Sequence, residues 1–155
     1  MKLHRRIGWA VLVLLIGIQF IRPARNNSEQ VSAAGFVRSF GVPDSVNRIL
    51  QASCYDCHSN HTRYPWYSHI QPFGWILARH IKRGKSELNF SEFTSYPIRR
   101  QISKFKAIAS QVEDSEMPLK SYKILHKQAR LSDEEKNLIV IWVRNKADSI
   151  QKIDP

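Results

Sequence analysis

Cysteine is almost missing from this chain: two among 155 residues, at positions 54 and 57. At most one disulfide can form, so no disulfide framework shapes the fold. Neither cysteine stands at the end of the N-terminal apolar run, so there is no lipobox cysteine. Methionine is equally scarce, with Met117 alone beyond the initiator. Acidic residues are short too, 13 against 24 Lys/Arg, leaving a formal net charge of +11. Alternating strand patterns of useful length are absent, as are internal repeats and low-complexity tracts. A βαβ unit is therefore excluded, and the expected class is all-α.

A single long apolar run is present, Ile7 to Ile21, with no formal charge and one Gln. Lys2, Arg5 and Arg6 precede it, and Arg22, Pro23 and Arg25 close it. This is the pattern of an export signal or a membrane anchor. The run is shorter than the ~20 residues that cross a bilayer comfortably, but Trp9 and the flanking arginines suit an interfacial anchor. Small residues at Ser32-Ala33-Ala34 keep cleavage open. We expect a signal anchor or signal peptide over residues 1–22, a polar tether over 23–35 and one domain over 36–155. Either form of leader carries the rest of the chain across the inner membrane, and an inside N-terminus puts that domain in the periplasm.

What the chain does have is Cys54-Tyr55-Asp56-Cys57-His58, the C-x-x-C-H signature of covalent haem attachment. On a helix, Cys54, Cys57 and His58 fall at i, i+3 and i+4 on one face. One turn then offers two thiols to the haem vinyl groups and an imidazole to the iron. A dithiol redox pair would be expected beside a βαβ pattern. A zinc site completed by His58, His61 or His69 would call for a second Cys/His pair at short spacing.

Helical spacing organises the rest. Pro43 and Asp44 open a helix carrying Val46, Ile49 and Leu50 into the motif. After an aromatic loop, Pro72 starts a second helix with Phe73, Ile76, Leu77 and His80 on its apolar face and Gly84 at its end. A third helix follows Pro97, with Ile98, Ile102, Phe105, Ala109 and Val112 inward. Residues 113–130 read as mostly irregular, with a helical turn near 121–128. The last helix starts at a capping box, Ser132 to Glu135, and is expected to bury Leu138, Ile141 and Trp142.

A second axial ligand is expected for a six-coordinate iron. Met117, in Glu116-Met117-Pro118-Leu119, is the leading candidate, because proline keeps that segment in a loop. His80 is the alternative; His69 and His126 stay open, and His61 lies too close to His58 to reach the far face. Trp66, Trp75 and Tyr64 are candidates for haem packing, and Arg63 or Arg79 for pairing with a propionate.

The residues also carry a resemblance. Cys54 to Asn60, Thr62 to Tyr67, Pro72, Trp75, His80-Ile81, Gly84, Leu88 to Ser91, Met117 to Leu119, Tyr122, His126 and Leu131 to Glu135 resemble the bacterial haem-binding domain family of small monohaem c-type cytochromes. The likeness runs over about residues 43–146. Phe93 departs from it, standing where Trp is common. The resemblance implies one covalent haem c on Cys54 and Cys57, His58 as proximal ligand, Met117 as distal ligand and a cytochrome c-like helical domain wrapped around the haem. In such domains the first and last helices cross, which would set Val46 to Leu50 against the last helix.

Two function classes follow. One is single-electron transfer at the periplasmic face of the inner membrane, with a redox partner protein; the basic residues between Arg79 and Lys106 would be a footprint for an acidic partner or for an anionic membrane surface. The other is a haem-based sensor or gas-binding module, or an accessory subunit of a peroxidase-like enzyme, and needs an open sixth position. With no acid/base constellation and no second haem motif, we expect no enzyme. An exported chain meets no nucleic acid, whatever its charge.

Overall fold

The computed structural model describes residues 2–28 and 33–153, with Lys2 and Ile153 as backbone alone. The described residues are all-helical. The α-helices are α1 (Lys2–Gly17), α2 (Ala34–Phe40), α3 (Asp44–Ser53), α4 (Tyr55–His58), α5 (Phe73–Glu87), α6 (Ile98–Glu113), α7 (Lys120–Leu125) and α8 (Asp133–Ile153). Short 3-10 turns cover Ile18–Phe20, Trp66–His69, Phe93–Ser95 and Lys127–Ala129. With the turn that follows it, α1 gives an apolar helix over Leu3–Phe20, long enough to cross a membrane or to act as a signal sequence. Of the three small residues at the candidate cleavage point, Ser32 lies outside the described residues, and Ala33-Ala34 open α2.

An aromatic cluster forms the core. Phe36, Phe90, Phe93 and Phe105 are fully buried, with Trp142 beside them. Phe36 meets Phe90 edge-on at 4.8 Å and Phe93 at 5.0 Å, and Phe93 meets Phe105 at 4.8 Å. Such pairs add about 0.5–1.5 kcal/mol each beyond the apolar area they bury. Phe93, the departure from the family pattern, sits in this core. Around it α6 packs on α8, and α3 packs on α8 as well. Cys54 and Tyr55 border the cluster, and Tyr55 meets Phe90 at 5.2 Å, so the motif is seated directly on the core.

The inward faces of α3 and α6 agree with the spacing, except that Ile98 is exposed. The capping box forms in both directions, Glu135 N to Ser132 Oγ at 3.1 Å and Ser132 N to Glu135 Oε2 at 2.8 Å. Two faces differ from expectation. On α8 the buried residues are Ile139, Val140, Trp142, Val143 and Ala147, while Leu138 and Ile141 are exposed. Leu138 to Val143 is an unbroken apolar run, so periodicity had no polar residue to mark the outer face. On α5 the buried residues are Gly74, Leu77 and Ile81; Phe73 and Ile76 are exposed and His80 is half-buried.

Gly84 does not end α5, which continues to Glu87. A Cβ at position 84 would stand 2.7 Å from the carbonyl oxygen of Cys57. Glycine is there because the α5 backbone crosses directly against the motif.

Candidate functional site

The motif is helical. Cys54 is the hinge between α3 and α4, at φ −124° and ψ −44°. Its amide still bonds Leu50 O (2.8 Å), and its carbonyl accepts from Cys57 N (3.2 Å) and His58 N (3.0 Å). One turn therefore carries both thiols and the imidazole. The cysteines are free and partly buried. Burial, followed by the neighbouring Cys57, pushes the Cys54 thiol up to about 12; burial, followed by Asp56, pushes Cys57 up to about 11. Both are neutral thiols at physiological pH.

His58 is held by a backbone carbonyl. Its Nδ1–H donates to Leu88 O at 3.0 Å, which fixes the tautomer and leaves the Nε2 lone pair free for a metal. Burial keeps the ring below the ordinary imidazole range, favouring the neutral form that ligation needs.

Around the turn, loops are stitched by polar contacts. Phe90 N bonds His58 O (2.8 Å), Asn60 N bonds Ser91 Oγ (3.0 Å) and Asn89 Nδ2 bonds Asn60 Oδ1 (2.8 Å). Thr62 Oγ1 donates to Asp56 O at 2.6 Å. Asp56 Oδ1 accepts from Arg63 N (3.1 Å) and Nε (3.3 Å), and Oδ2 from the Tyr122 hydroxyl (3.0 Å). Burial and Asp56 raise the Tyr122 phenol, so it stays a donor. Tyr122 stacks on His126 at 3.9 Å, and Tyr67 approaches the same imidazole at 5.8 Å.

The segment after the leader helix joins this network. Asn26 Nδ2 donates to Ser59 O and to Thr62 Oγ1, both at 2.9 Å, and Lys85 Nζ donates to Asn26 Oδ1 at 2.7 Å. Asn26 N bonds the Tyr64 hydroxyl (2.6 Å), Thr62 N bonds Asn26 O (3.0 Å) and Ser28 N bonds Asn60 O (2.9 Å). Nearer the helix, Gln19 and Gln71 pair, with Gln71 N to Gln19 Oε1 at 2.9 Å and Gln19 Nε2 to Gln71 O at 3.2 Å. Trp75 Nε1 donates to Ile21 O at 2.8 Å. Of the stretch read as a tether, residues 23–28 run alongside the domain and 29–32 lie outside the described residues.

A sequence model for the haem-binding domain matches residues 13–145. The chain belongs to the haem-binding domain family. The match begins inside the apolar helix, so the family's domain includes the segment that clasps the motif. Among curated proteins, and among solved structures, nothing matches.

The residues suit the family's cofactor. The fit rests on two unpaired thiols one turn apart and an imidazole oriented through Nδ1 with Nε2 free. Among the described residues no group of three His, Cys, Asp or Glu side chains is placed to hold a metal ion, so a zinc site finds no donor set. His61 is exposed, and Arg25 donates to the His69 ring at 3.1 Å.

The remaining candidates separate. Met117 is half-buried and lines a cavity of about 290 Å³ with Ser115, Pro118, Lys123, Arg130, Leu131 and Lys136; Cys54, Cys57 and His58 are not on its wall. The helix that follows its loop, α7, reaches the motif through Tyr122 instead. His126 is buried, and its Nδ1 donates to Tyr122 O at 3.2 Å. Trp75 and Tyr64 are engaged with the leader segment, Arg63 with Asp56, and Arg79 and Trp66 are exposed. Sequence reasoning missed the roles of Gln19, Asn26, the Leu88 carbonyl and Gly84. Gly84 reads in the sequence as the end of its helix, Leu88 stands in the family pattern without a stated task, and Gln19 and Asn26 give no periodic signal.

Proposed function

We propose that this chain is a c-type cytochrome carrying one covalent haem, anchored in the inner membrane by α1, which passes single electrons on the periplasmic side without catalysing a reaction of its own. The observation that carries the reading is His58 Nδ1–H bonded to Leu88 O within a turn bearing two free thiols. Cys54 and Cys57 would hold the haem by thioether bonds, and His58 Nε2 would ligate its iron. Haem supplies a one-electron couple there; the protein supplies ligands, orientation and a partly buried setting. Met117 is the proposed sixth ligand, on the loop before α7, which Tyr122 ties to Asp56. Retention of the leader is supported by Gln19, Ile21 and Asn26: their loss would strip hydrogen-bond partners from Gln71, Trp75 and Thr62.

The separate cavity at Met117 favours one second reading, a sensor or gas-binding module with an open sixth position. A single set of measurements decides. Exported protein made with a c-haem maturation system should keep peroxidase-active haem stain on a denaturing gel, and Cys54→Ala with Cys57→Ala should abolish it. Ferric protein should show the near-infrared sulfur-to-iron band, and Met117→Ala should remove the band and admit carbon monoxide to the ferrous form. Rapid carbon monoxide binding by the native protein, with no such band, would replace electron transfer by gas binding. Free thiols and no haem in exported protein would sink both.

A further inference from the structure

The leader segment runs in register with α5. Gln19 pairs with Gln71, Ile21 with Trp75 and Asn26 with Lys85. Five extended residues cover about 16 Å, and the ten helical residues from Trp75 to Lys85 cover about 15 Å. The first turn of α5 therefore lies beside the end of the apolar helix, and the motif, which meets α5 at Gly84, lies at the other end. At the helix end the surface is apolar and uncovered: Phe73 is 52% exposed, Ile76 49% and Ile70 43%. Arg22 and Arg25 are exposed beside it. From Cys57 to Ser86 the sequence has no Asp or Glu and five Lys/Arg.

We propose that this end of the haem domain rests on the bilayer that carries α1, with Ile70, Phe73 and Ile76 in the interfacial layer and Arg22 and Arg25 among anionic phospholipid headgroups. The proposal rests on the reading of α1 as a retained anchor. Three features select the occupant. The surface adjoins the end of the apolar helix, where Gln19 and Ile21 bond Gln71 and Trp75. Its composition, aromatic and aliphatic with a basic rim, is that of membrane-interface segments. Its charge complements anionic lipid, which attracts juxtamembrane cations. Docked in this way, the haem motif stands at a fixed height above the membrane, with α5 as the spacer.

The test uses the full-length haem-loaded protein in vesicles of phosphatidylethanolamine and phosphatidylglycerol, a fraction of the latter carrying a photoactivatable group near the headgroup. After illumination, mass spectrometry should find lipid adducts on peptides spanning 66–76 as well as 3–22, and none on 133–150. Ile70→Asp with Phe73→Asp should cut the 66–76 adducts at least tenfold while haem stain is kept. Adducts confined to 3–22 on an intact chain would overturn the proposal and leave the anchor standing. An intact mass lacking the leader would bring down the anchor reading and the proposal together, and the missing N-terminal peptides would identify that case.

Discussion

Two sides of the haem motif are built by different means. On one, Cys54 and Tyr55 rest on the phenylalanine cluster, where packing is dense and non-directional. On the other, His58 to Thr62 is laced by directed hydrogen bonds to Asn26, Leu88 and Asn89 to Ser91. Packing fixes where the turn sits; hydrogen bonds fix which way the imidazole points. The first side should govern global stability, and the second the orientation of the His58 imidazole.

The sharpest break in the comparison is Phe105→Ala. It empties a fully buried ring site and should cost about 3–5 kcal/mol in denaturant unfolding. A loss below about 1 kcal/mol would show that the cluster is not the stabilising side. Gly84→Ala comes next. The added methyl must displace the Cys57 carbonyl, with an expected cost of about 1–3 kcal/mol. On the proposed function, covalent haem yield should fall with it, since the clash lies on the Cys54–His58 turn; unchanged yield and stability would contradict the close crossing.

Asn26→Ala probes the directed side. It removes the partners of Ser59 O, Thr62 Oγ1 and Lys85 Nζ and should cost about 1–3 kcal/mol. Its mark should be mobility of the 59–63 loop in hydrogen exchange, with α6 and α8 protected as before. Uniform loss of protection would mean that the two sides are one cooperative unit.

The smallest effect is that of pH on haem-free protein. Burial lowers His58 below its ordinary value of 6.5, so the fold binds its proton less tightly than the unfolded chain does. The stabilising contribution is complete above the ordinary value and is lost as pH falls through and below it. At the other end, thiols raised to about 12 and 11 from 9.0 contribute fully below pH 9 and lose that contribution as pH rises through those values. Alkylation of Cys54 and Cys57 should accelerate roughly tenfold per pH unit from pH 8 to about 10 without levelling; a plateau near pH 9 would show that the thiols are not buried.

The two sides were unequally legible. Val46, Ile49 and Leu50, and Phe105, Ala109 and Val112, follow helical spacing and were readable. Phe36, on a two-turn helix, and Phe90, on a loop, have no period to read, so the centre of the core was hidden. The C-x-x-C-H motif was legible as one helical turn bearing two thiols and an imidazole, because its spacing alone sets that arrangement. Its supports were not, because the acceptor at His58 is a main-chain carbonyl and any residue at 88 supplies one. Asn26 and Gln19 act across 36 and 52 positions of chain, and local patterns carry no trace of such pairs.

The glutamine pair at 19 and 71 has a practical corollary. A water-soluble version exported behind a foreign signal should begin no later than Gln19, whose side chain hydrogen-bonds Gln71, and not at residue 36. The shorter version would leave the Trp75 indole and the Tyr64 hydroxyl without the partners they have in the intact chain.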